Sequence, residues 1–548
     1  MTSKTRSIHR PKSIPKKVIR ISWKDGLLAV LSGILLILIF PSFDLETLAW
    51  VALVPLLWIL GGKGPRQAFW VGGITGLTFY LGTLHWVTNT MVNYGHLPLP
   101  VSLLILLLLA LYLAAYVALF ALLFAHLGQA TLGLQWIGAP LVWTTLELVR
   151  AHLLSGFPWA SLGYSQYKAL PLIQIAEVTG VYGVSFLIVW VNATLALLLV
   201  ALRNPAPADG PAQLRGRSKP RSSLALKLAA PLVALSLCLA YGSWRLKSGE
   251  SALKEGSSQK VRAILIQGNI EQDRKWDRRY QEEVFALHRE LTLAAARAPA
   301  DLIVWPEAST PFFFQSDDRY RPQTFALAGQ SGAPLLFGSP AYRLNRTGVE
   351  MFNRAYLISP QGMVLGQYDK IHLVPFGEYV PLQRMLPFVH RMVEGIGDFA
   401  AGKEFTLMSI PQGRFGVLIC FESIFPELAR RFVLEGAQFL VNITNDAWFG
   451  RSPAPYQHMS MVPFRAIENR VPVIRAANTG VSGLFDPRGR ILQQSDIFVQ
   501  TWLRGEISPK DPREGLTFYT RHGDLFAYLC ALCAIVLFGI RARRRFGR

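Results

Sequence analysis

The segment GVLICFESIFPE, residues 416–427, decides how the C-terminal half of the chain is interpreted. Its first half is a short apolar run typical of a buried strand, and the Ser, Pro and Glu that follow are typical of a helix start. Cys420 therefore lies at a predicted strand-to-helix junction, where the helix dipole favours the thiolate and raises its nucleophilicity. The alternative is that Cys420 is simply a small buried apolar residue, the commoner role of a lone cysteine.

The composition of the chain is that of a membrane protein. Of its 548 residues, 51% are hydrophobic, which is too apolar for an ordinary soluble multidomain protein. Eight apolar stretches suit transmembrane helices, which need roughly 20 residues to cross a bilayer. They cover residues 26–40, 47–60, 68–87, 101–127, 134–154, 179–202, 224–244 and 524–540.

The net charge of +21 is concentrated in short segments beside the apolar stretches. Residues 1–24 carry eight Lys or Arg and no acid, residues 541–548 carry five Arg, and the loops 63–66 and 203–227 supply most of the rest. Basic residues beside membrane spans mark the cytoplasmic side. Eight spans place all four basic segments on that side, so the charge reports topology and excludes a nucleic-acid-binding surface.

These patterns predict five regions along the chain. A basic cytoplasmic N-terminus and a basic cytoplasmic tail enclose a membrane domain with seven transmembrane helices, a folded periplasmic domain and an eighth transmembrane helix. The regions are 1–25, 26–247, 248–523, 524–540 and 541–548, with the N-terminus first and the tail last.

The outer domain has an α/β pattern. Some of its predicted strands follow one another directly, which favours a mixed layered sheet over a doubly wound one. Reactive groups collect at strand ends in such folds. The predicted strands are 261–267, 301–305, 334–338, 354–359, 414–420, 439–443 and 473–477, and predicted helices include 281–296 and 427–435.

Three predicted strand ends carry chemically useful side chains. Glu307 follows an apolar run in IVWPEAS, Lys370 lies in YDKIHLVPFGEYVP with Glu378, and Cys420 lies in VLICFES with Glu422. Taken singly, each charge has an alternative interpretation as a solvated loop residue. Taken together, a carboxylate, an amine and a thiol provide a base, an oxyanion partner and a nucleophile.

Cysteine usage favours a functional thiol. Cys420 is the only cysteine of the outer domain, because Cys238, Cys530 and Cys533 fall within predicted spans. A disulfide framework in this domain is thereby excluded. An unpaired thiol in a compartment where paired cysteines oxidise is expected to have a chemical role.

No cofactor or metal is expected. Residues 395–404, GIGDFAAGKE, approach a phosphate-binding loop, but Glu404 stands where Ser or Thr is required and no strand precedes the segment. The histidines of the outer domain show no short metal-ligand spacing, and a zinc site is disfavoured. No GxSxG motif is present, which argues against a serine hydrolase of the α/β type.

The motifs around Glu307, Lys370 and Cys420 resemble the Glu-Lys-Cys triad of the nitrilase, or carbon-nitrogen hydrolase, superfamily. Longer strings are similar to one membrane-bound branch, the apolipoprotein N-acyltransferases. They are QGNI with Lys275-Trp276, KIHLVPFGEYVP, GDF with the following Ala-Gly, NDAWFG, RAANTG, FYTRHGD and, in the membrane part, GFPWASLGYSQ. One departure is Phe421, where members of this family often have Tyr beside the nucleophile.

The resemblance implies a polytopic α-helical membrane domain of about eight spans and a nitrilase-like α-β-β-α sandwich, in the bacterial inner membrane. It also implies a ping-pong reaction in which Cys420 takes an acyl chain from a membrane phospholipid as a thioester. The α-amino group of the diacylglyceryl-cysteine of an apolipoprotein would then accept that chain.

We expect Glu307 to act as the base and Lys370 to stabilise the oxyanion. Glu378 is expected to orient Lys370 or assist proton transfer, and Glu422 to hold the hydrogen-bond network of the pocket. Two more residues, Trp276 and Phe421, are candidates for the substrate pocket.

Three further expectations concern lipid access and the membrane part. Apolar residues are predicted to form mobile loops that admit lipid, with ordinary core packing as the alternative. They are Phe312, Phe313, Phe314, Met385, Leu386, Phe388 and Val389. Glu147 and Arg150 can face each other across one helical turn, either as a structural ion pair or in a substrate role. The aromatic loop 155–167 is expected at the membrane interface or on a lipid entry route.

Two other classes of protein stay open at this point. A membrane-anchored amidase or nitrilase would use the same triad to hydrolyse a small amide. A receptor or transporter could instead bind amides in its outer domain without turnover, and an intact triad would then be dispensable.

Overall fold

The computed structural model of the chain describes residues 21–128, 132–203, 221–255, 259–275, 277–346, 348–379, 399–511 and 515–546. Several sequence-based predictions lie outside the described residues, namely those on the basic segment before residue 21, most of the basic loop 203–227, Trp276 and the segment 385–389. Within the described residues, a helical part precedes an α/β domain, and one long helix follows that domain.

Helices make up the N-terminal part. The longest, Arg221–Glu255, has 35 residues and at 1.5 Å per residue is about 52 Å long. That length exceeds the bilayer core of about 30 Å, so the helix extends beyond a membrane and leads into the α/β domain. The helices are Trp23–Leu38, Val54–Leu60, Pro65–Leu84, Trp86–Asn93, Leu99–Gly128, Leu132–His152, Leu170–Ile173, Ala176–Thr179, Val181–Arg203 and Arg221–Glu255, with Leu525–Phe546 after the α/β domain.

Four helices among the described residues are long and apolar enough to cross a membrane: Leu99–Gly128, Val181–Leu202, Ala225–Ser248 and Leu525–Arg543. The predicted span 47–60 divides into a 3-10 turn and the helix Val54–Leu60 of seven residues. The other three predicted spans coincide with helices that are shorter or more polar. The helices fit a membrane domain, and the number of eight spans stays a prediction.

Small residues bring two of these helices into close contact. A Cβ atom added at Gly72 would lie 2.5 Å from Ala121 Cβ, and one added at Gly76 would lie 2.8 Å from Ala114 Cα. Helices that lack a strong hydrophobic driving force in lipid associate through such close backbone approach. The glycines of Pro65–Leu84 therefore determine how tightly it packs on Leu99–Gly128.

Among its described residues, the α/β domain contains twelve strands in two sheets. The strands are β1 (Val261–Gln267), β2 (Leu302–Val304), β3 (Leu335–Asn345), β4 (Gly348–Ile358), β5 (Val364–Asp369), β6 (Met408–Ile410), β7 (Gly413–Ile419), β8 (Phe439–Thr444), β9 (Val473–Ala477), β10 (Gly483–Phe485), β11 (Ile491–Gln494) and β12 (Thr501–Ile507). One sheet has the order β12-β1-β2-β3-β4-β5 and the other β11-β10-β9-β8-β7-β6. Each sheet has three parallel strands at its centre with antiparallel neighbours, which confirms the predicted mixed sheets.

The two sheets pack face to face, with helices on their outer faces. Side chains alternate along a strand, and in β1 the residues Val261, Ala263 and Leu265 belong to the apolar cluster that includes the second sheet. Ile264 and Ile266 point the other way and pack with the helices outside the first sheet. This alternation produces the α-β-β-α sandwich. The outer helices include Gln281–Ala295 and Tyr320–Ser331 on one face and Pro426–Leu434 and Val462–Asn469 on the other.

We predict that Gly416→Ala destabilises the sandwich. A Cβ atom at this position of β7 would lie 2.4 Å from Cγ of Phe432, which packs from helix Pro426–Leu434. Overpacking of this kind costs about 1–3 kcal/mol of unfolding free energy. Thermal unfolding in detergent should show a lower midpoint, whereas Gly26→Ala, where no atom lies within 4 Å, should not lower it. An unchanged midpoint for Gly416→Ala would contradict this packing.

Candidate active site

Cys420 lies on a sharp turn between a strand and a helix. Strand β7 ends at Ile419, a 3-10 turn runs from Cys420 to Ile424, and helix Pro426–Leu434 follows. The φ angle of Cys420 is 53°, in the left-handed region where a non-glycine residue is strained and often functional. The predicted strand-to-helix junction is confirmed, with the 3-10 turn separating the thiol from the longer helix.

Glu307 and Lys370 meet in a buried ionic cluster. Glu307 follows β2, Lys370 follows β5, and Lys370 Nζ lies 3.4 Å from Glu307 Oε1. The same ammonium group donates a hydrogen bond of 2.9 Å to Glu378 Oε1. The Asn353 side-chain amide donates to Glu307 Oε1 and to Glu378 Oε1, each at 2.8 Å. The structure therefore brings Glu307, Lys370 and Glu378 together, with Asn353 holding the two carboxylates.

The backbone supplies further donors to the two carboxylates. The Asn445 N–H donates to Glu307 Oε2 at 2.9 Å, and the Val374 N–H donates to Glu378 Oε2 at 2.9 Å. Each carboxylate thus has both oxygens engaged, and its orientation is fixed.

Charge in the cluster acts on Lys370 and on Cys420 in different ways. Burial opposes the ammonium form of Lys370, but the carboxylates of Glu378 and Glu307 outweigh it and raise its pKa. Burial raises the pKa of the Cys420 thiol and Glu307 raises it further, whereas Lys370 lowers it. The resting Cys420 is therefore a protonated thiol, and the expectation of a thiolate favoured by the helix dipole is wrong. A base must remove its proton before it can act as a nucleophile.

Glu422 links the Cys420 turn to the segment that carries Lys370. Its Oε2 atom accepts a hydrogen bond from the Ile419 N–H at 2.7 Å. Its Oε1 atom accepts from Tyr368 Oη at 2.8 Å and from the backbone N–H of Ile371 and of His372 at 2.7 and 3.1 Å. Burial raises the pKa of Glu422 to about 7, and these donors oppose that shift. Glu422 fixes the residues on either side of Lys370 relative to the residue before Cys420.

Lys275 belongs to the same site, although no role was predicted for it from the sequence. Its buried Nζ atom donates to the main-chain oxygen of Glu307 at 2.8 Å. Burial lowers the pKa of Lys275 to about 8, while Glu307 and Cys420 act in the opposite direction. It was quoted only as part of a family motif, because nothing in the local sequence indicates that this lysine is buried. Asn353 and Asn445 were missed because a neutral amide in a strand or loop gives no sequence signal.

Phe421 is half-buried beside the nucleophile. Its ring contacts Phe425 at a centroid distance of 5.1 Å and His372 at 6.0 Å. Phenylalanine brings no hydroxyl to this position, so its contribution here is apolar packing. Trp276 lies outside the described residues.

The prediction of an access loop made of Phe312, Phe313 and Phe314 is wrong for two of the three residues. Phe312 is buried and stacks on Tyr320 at 4.7 Å, and Phe314 is buried against Phe337 at 4.9 Å. Both belong to the core between the first sheet and its helices. Phe313 is half-buried. The aromatic residues that follow Glu307 therefore pack into the core and anchor the segment that carries Glu307.

Glu147 and Arg150 hold the aromatic loop in place. Arg150 donates to the Trp159 carbonyl at 2.6 Å and to Ser161 Oγ at 3.0 Å. Glu147 Oε1 accepts from the Leu162 N–H at 2.7 Å. Among the described ion pairs, the two residues do not pair with each other. Both side chains thus hold the loop in place of forming the predicted ion pair, and a substrate role stays a prediction.

In the part of the chain that the structure describes, no group of three or more His, Cys, Asp or Glu side chains could hold a metal ion. His372 lies against Phe425, with ring centroids 3.8 Å apart. His458 lies in a hydrogen-bond network behind Cys420.

Two family models match the chain. Residues 32–194 match the one described as Apolipoprotein N-acyltransferase N-terminal domain, and residues 262–514 match the one described as Carbon-nitrogen hydrolase. The second match covers both sheets and the Glu307, Lys370 and Cys420 positions. The molecule is thus a membrane protein that carries a carbon-nitrogen hydrolase domain.

Curated relatives match over nearly the whole chain. An apolipoprotein N-acyltransferase of Geobacter metallireducens is 47% identical over 525 residues, which cover 95% of this chain and 96% of the relative. A protein of the same name from Azotobacter vinelandii is 35% identical over 532 residues and covers 96% of each chain. The chain therefore belongs to the apolipoprotein N-acyltransferase family.

Two solved structures are similar to the α/β domain. Nit3 of Saccharomyces cerevisiae, described as a member of branch 10 of the nitrilase superfamily, is 19% identical with a TM-score of 0.37, covering 48% of this chain and 95% of that chain. An amidase from Nesterenkonia sp. is also 19% identical, with a TM-score of 0.35, and covers 47% of this chain and 94% of that chain.

We predict that Gly338→Ala inactivates the site by displacing Glu307. A Cβ atom at Gly338 of β3 would lie 2.8 Å from Glu307 Cα and 2.5 Å from the Ala308 nitrogen. Backbone atoms cannot yield as a flexible side chain does, and a displacement of about 1 Å can lower a rate roughly 10²-fold. Acyltransferase activity of the purified protein should fall by that order. Gly539→Ala, with no atom within 4 Å, is the control, and equal activity in the two variants would contradict the geometry.

We predict that Glu422→Gln lowers acyltransferase activity about tenfold to a hundredfold. The new amide group cannot accept from all four donors that Glu422 engages, and a buried donor left unsatisfied costs about 1–3 kcal/mol. The matched control is Glu435→Gln, which alters an exposed carboxylate paired with Arg431 at 2.6 Å. The assay compares the two variants at equal protein concentration. Similar activities in the two variants would show that the hydrogen bonds of Glu422 do not contribute to acyltransferase activity.

Proposed function

We propose that this chain transfers an acyl chain from a membrane phospholipid to the N-terminal α-amino group of a diacylglyceryl-cysteine on an apolipoprotein. The observation that carries the proposal is the buried ion cluster of Lys370 with Glu307 and Glu378, in the same site as the left-handed turn at Cys420. Membership of the family supplies the kind of reaction, because the relatives are named apolipoprotein N-acyltransferases. The Glu307, Lys370 and Cys420 triad is our assignment.

In the first half-reaction, Glu307 takes the proton of the Cys420 thiol, and the thiolate attacks the ester carbonyl of the phospholipid. The resulting oxyanion lies beside Lys370, whose raised pKa keeps it cationic and suited to stabilise negative charge. The ester C–O bond then breaks, and Glu307 returns the proton to the departing alkoxide. The products are a Cys420 thioester and a lysophospholipid.

In the second half-reaction, the neutral α-amino group of the apolipoprotein attacks the thioester carbonyl. Glu307 accepts a proton from the attacking nitrogen, and Lys370 again stabilises the oxyanion. Cleavage of the C–S bond gives the amide and a thiolate, which recovers its proton from Glu307. The enzyme returns to its starting state without any cofactor.

The supporting residues act on the geometry of this triad. Glu378 holds the Lys370 ammonium at 2.9 Å. Glu422 fixes the backbone on both sides of the site, and Lys275 fixes the main chain of Glu307 while adding a second positive charge. Phe421 and Trp276 are assigned to the substrate pocket. Fixed donors and charges of this kind lower the barrier because they need no reorganisation during the reaction.

The membrane domain suits substrates that carry acyl chains. Exposing a chain to water costs about 0.8 kcal/mol per CH₂ group, so both lipid substrates favour a site next to the bilayer. We propose a multi-pass protein of the bacterial inner membrane, with residues 1–25 and 541–548 in the cytoplasm. Residues 26–247 and 524–540 would form the membrane domain, and residues 248–523 the periplasmic catalytic domain.

A transfer assay tests the proposal. The full-length protein in detergent is incubated with a phospholipid of labelled acyl chain and a diacylglyceryl-cysteinyl peptide, and the N-acyl peptide is quantified. We expect label on the peptide with wild-type protein and none with Cys420→Ala, because the nucleophile is lost.

Release of labelled free fatty acid without labelled peptide would instead favour the amidase-type hydrolase, and undiminished transfer by Cys420→Ala would refute the assignment of the nucleophile. The control variant is Ser460→Ala, which also removes one buried side-chain group. The Ser460 hydroxyl donates to the Gln457 carbonyl, three residues earlier in the chain, at 2.7 Å.

A further inference from the structure

A buried chain of polar side chains lies behind the Cys420 turn and has no role in the mechanism above. Ser423 Oγ donates to the Cys420 carbonyl oxygen at 3.0 Å and lies 2.8 Å from His458 Nε2. His458 Nδ1 lies 3.1 Å from Asp446 Oδ1 and 3.1 Å from Arg475 Nη2. The four polar residues are at most 1% exposed, and Cys420 is 9% exposed. A fully buried network of this kind is strongly directional, because each member has to be satisfied internally.

The donors and acceptors of the network follow from the hydrogen bond that Ser423 donates to the Cys420 carbonyl oxygen. Ser423 has one hydroxyl proton, and when it is given to the Cys420 carbonyl, Ser423 must accept from His458 Nε2–H. In this tautomer Nδ1 accepts from Arg475 Nη2, which also donates to Asp446 Oδ2 at 2.8 Å, and Asp446 Oδ1 accepts from Thr444 Oγ1 at 2.8 Å. Burial and the Arg475 charge lower the pKa of His458, consistent with a neutral ring. The arginine therefore anchors a chain of hydrogen bonds that ends on the nucleophile's own carbonyl.

The Cys420 carbonyl oxygen accepts two hydrogen bonds. The Asn442 side chain donates to it at 3.4 Å, in addition to Ser423. The peptide group between Cys420 and Phe421 is planar and trans. Because its carbonyl points toward Ser423 and Asn442, the N–H of Phe421 points away from them. Phe421 directly follows Cys420 in the 3-10 turn, so this N–H belongs to the peptide bond next to the nucleophile.

Helix Ala454–Met459 connects this network to the membrane domain. Gln457, next to His458, accepts from the indole N–H of Trp86 at 3.2 Å and of Trp159 at 2.8 Å. Its own amide donates to the carbonyl of Pro41 at 3.1 Å and of Thr83 at 3.3 Å. The position of His458 is thus set by four contacts to membrane helices and loops.

We propose that Ser423 and His458 are positioning residues that hold the peptide between Cys420 and Phe421, so that the strained turn presents its N–H to the oxyanion during thioester formation. The inference rests on the proposed function, because it concerns the acylation of Cys420. It explains how a left-handed cysteine is kept in one conformation. It also gives the Ser, His and Asp side chains a structural purpose, although their spacing resembles that of a hydrolytic triad.

The test measures the rate of Cys420 acylation by a defined phospholipid in single turnover, at saturating lipid, by mass spectrometry of the intact protein. Ser423→Ala should slow acylation roughly 10²-fold, the usual effect of losing one oxyanion donor, with little change in the lipid concentration giving half-maximal rate. Ser423→Thr keeps the hydroxyl and should stay within about tenfold of wild type. Ser460→Ala is the matched control, since Ser460 is equally buried and donates to Gln457 O at 2.7 Å.

A second pair of variants addresses His458. In His458→Gln the amide nitrogen can reach the position of Nε2 and donate to Ser423, whereas in His458→Asn it cannot. We expect the Gln variant to acylate at least tenfold faster than the Asn variant, at similar thermal stability. Should His458→Asn fail to fold, the Ser423 pair still decides the question.

The outcomes separate the two hypotheses. If wild-type protein forms no adduct, the proposed function fails. If wild type acylates normally but Ser423→Ala matches Ser460→Ala, the positioning role is overturned and the proposed function stands.

Discussion

The ion cluster of Lys370 with Glu307 and Glu378 is the interaction on which the rest of the site depends. Three charges buried in one place are unfavourable unless each is paired and hydrogen-bonded, and here Asn353 and two backbone N–H groups complete the pairing. Burial raises the pKa of the Cys420 thiol and the neighbouring Glu307 raises it further, so the thiol is protonated at rest. Nucleophile activation is therefore tied to the moment at which Glu307 accepts a proton.

The fold supplies this cluster by bringing together ends of elements that are distant in sequence. Glu307 comes from the end of β2, Lys370 from the end of β5, and Cys420 from the end of β7, in two different sheets. Glu422 joins the β7 turn to the β5 end, because it accepts three hydrogen bonds from the β5 end and one from Ile419 of β7. On the membrane side, Gln457 fixes the helix that carries His458. The catalytic geometry thus depends on the packing of both sheets and on the contact with the membrane domain.

The sequence predicted the parts of the structure whose signals are strong and local. Strands β1 and β9 have the predicted bounds, and Glu307, Lys370 and Glu378 do converge. Strand β11 was missed because its four residues are exposed and half polar, so no apolar period marks it. Phe312 was misassigned because three adjacent aromatics give the same pattern in a core and in a lipid-facing loop. The upward shift of the Cys420 pKa could not be predicted either, since it depends on burial and on Glu307.

The central claim is that Cys420 carries the acyl chain as a covalent intermediate. The most direct measurement is mass spectrometry of the Cys420 peptide after the full-length protein is incubated with one defined phospholipid in the absence of acceptor. The account predicts an added mass equal to that acyl group, sensitive to hydroxylamine and lost when a diacylglyceryl-cysteinyl peptide is supplied. Turnover without any adduct on Cys420, or an adduct that persists when the acceptor is consumed, would contradict it.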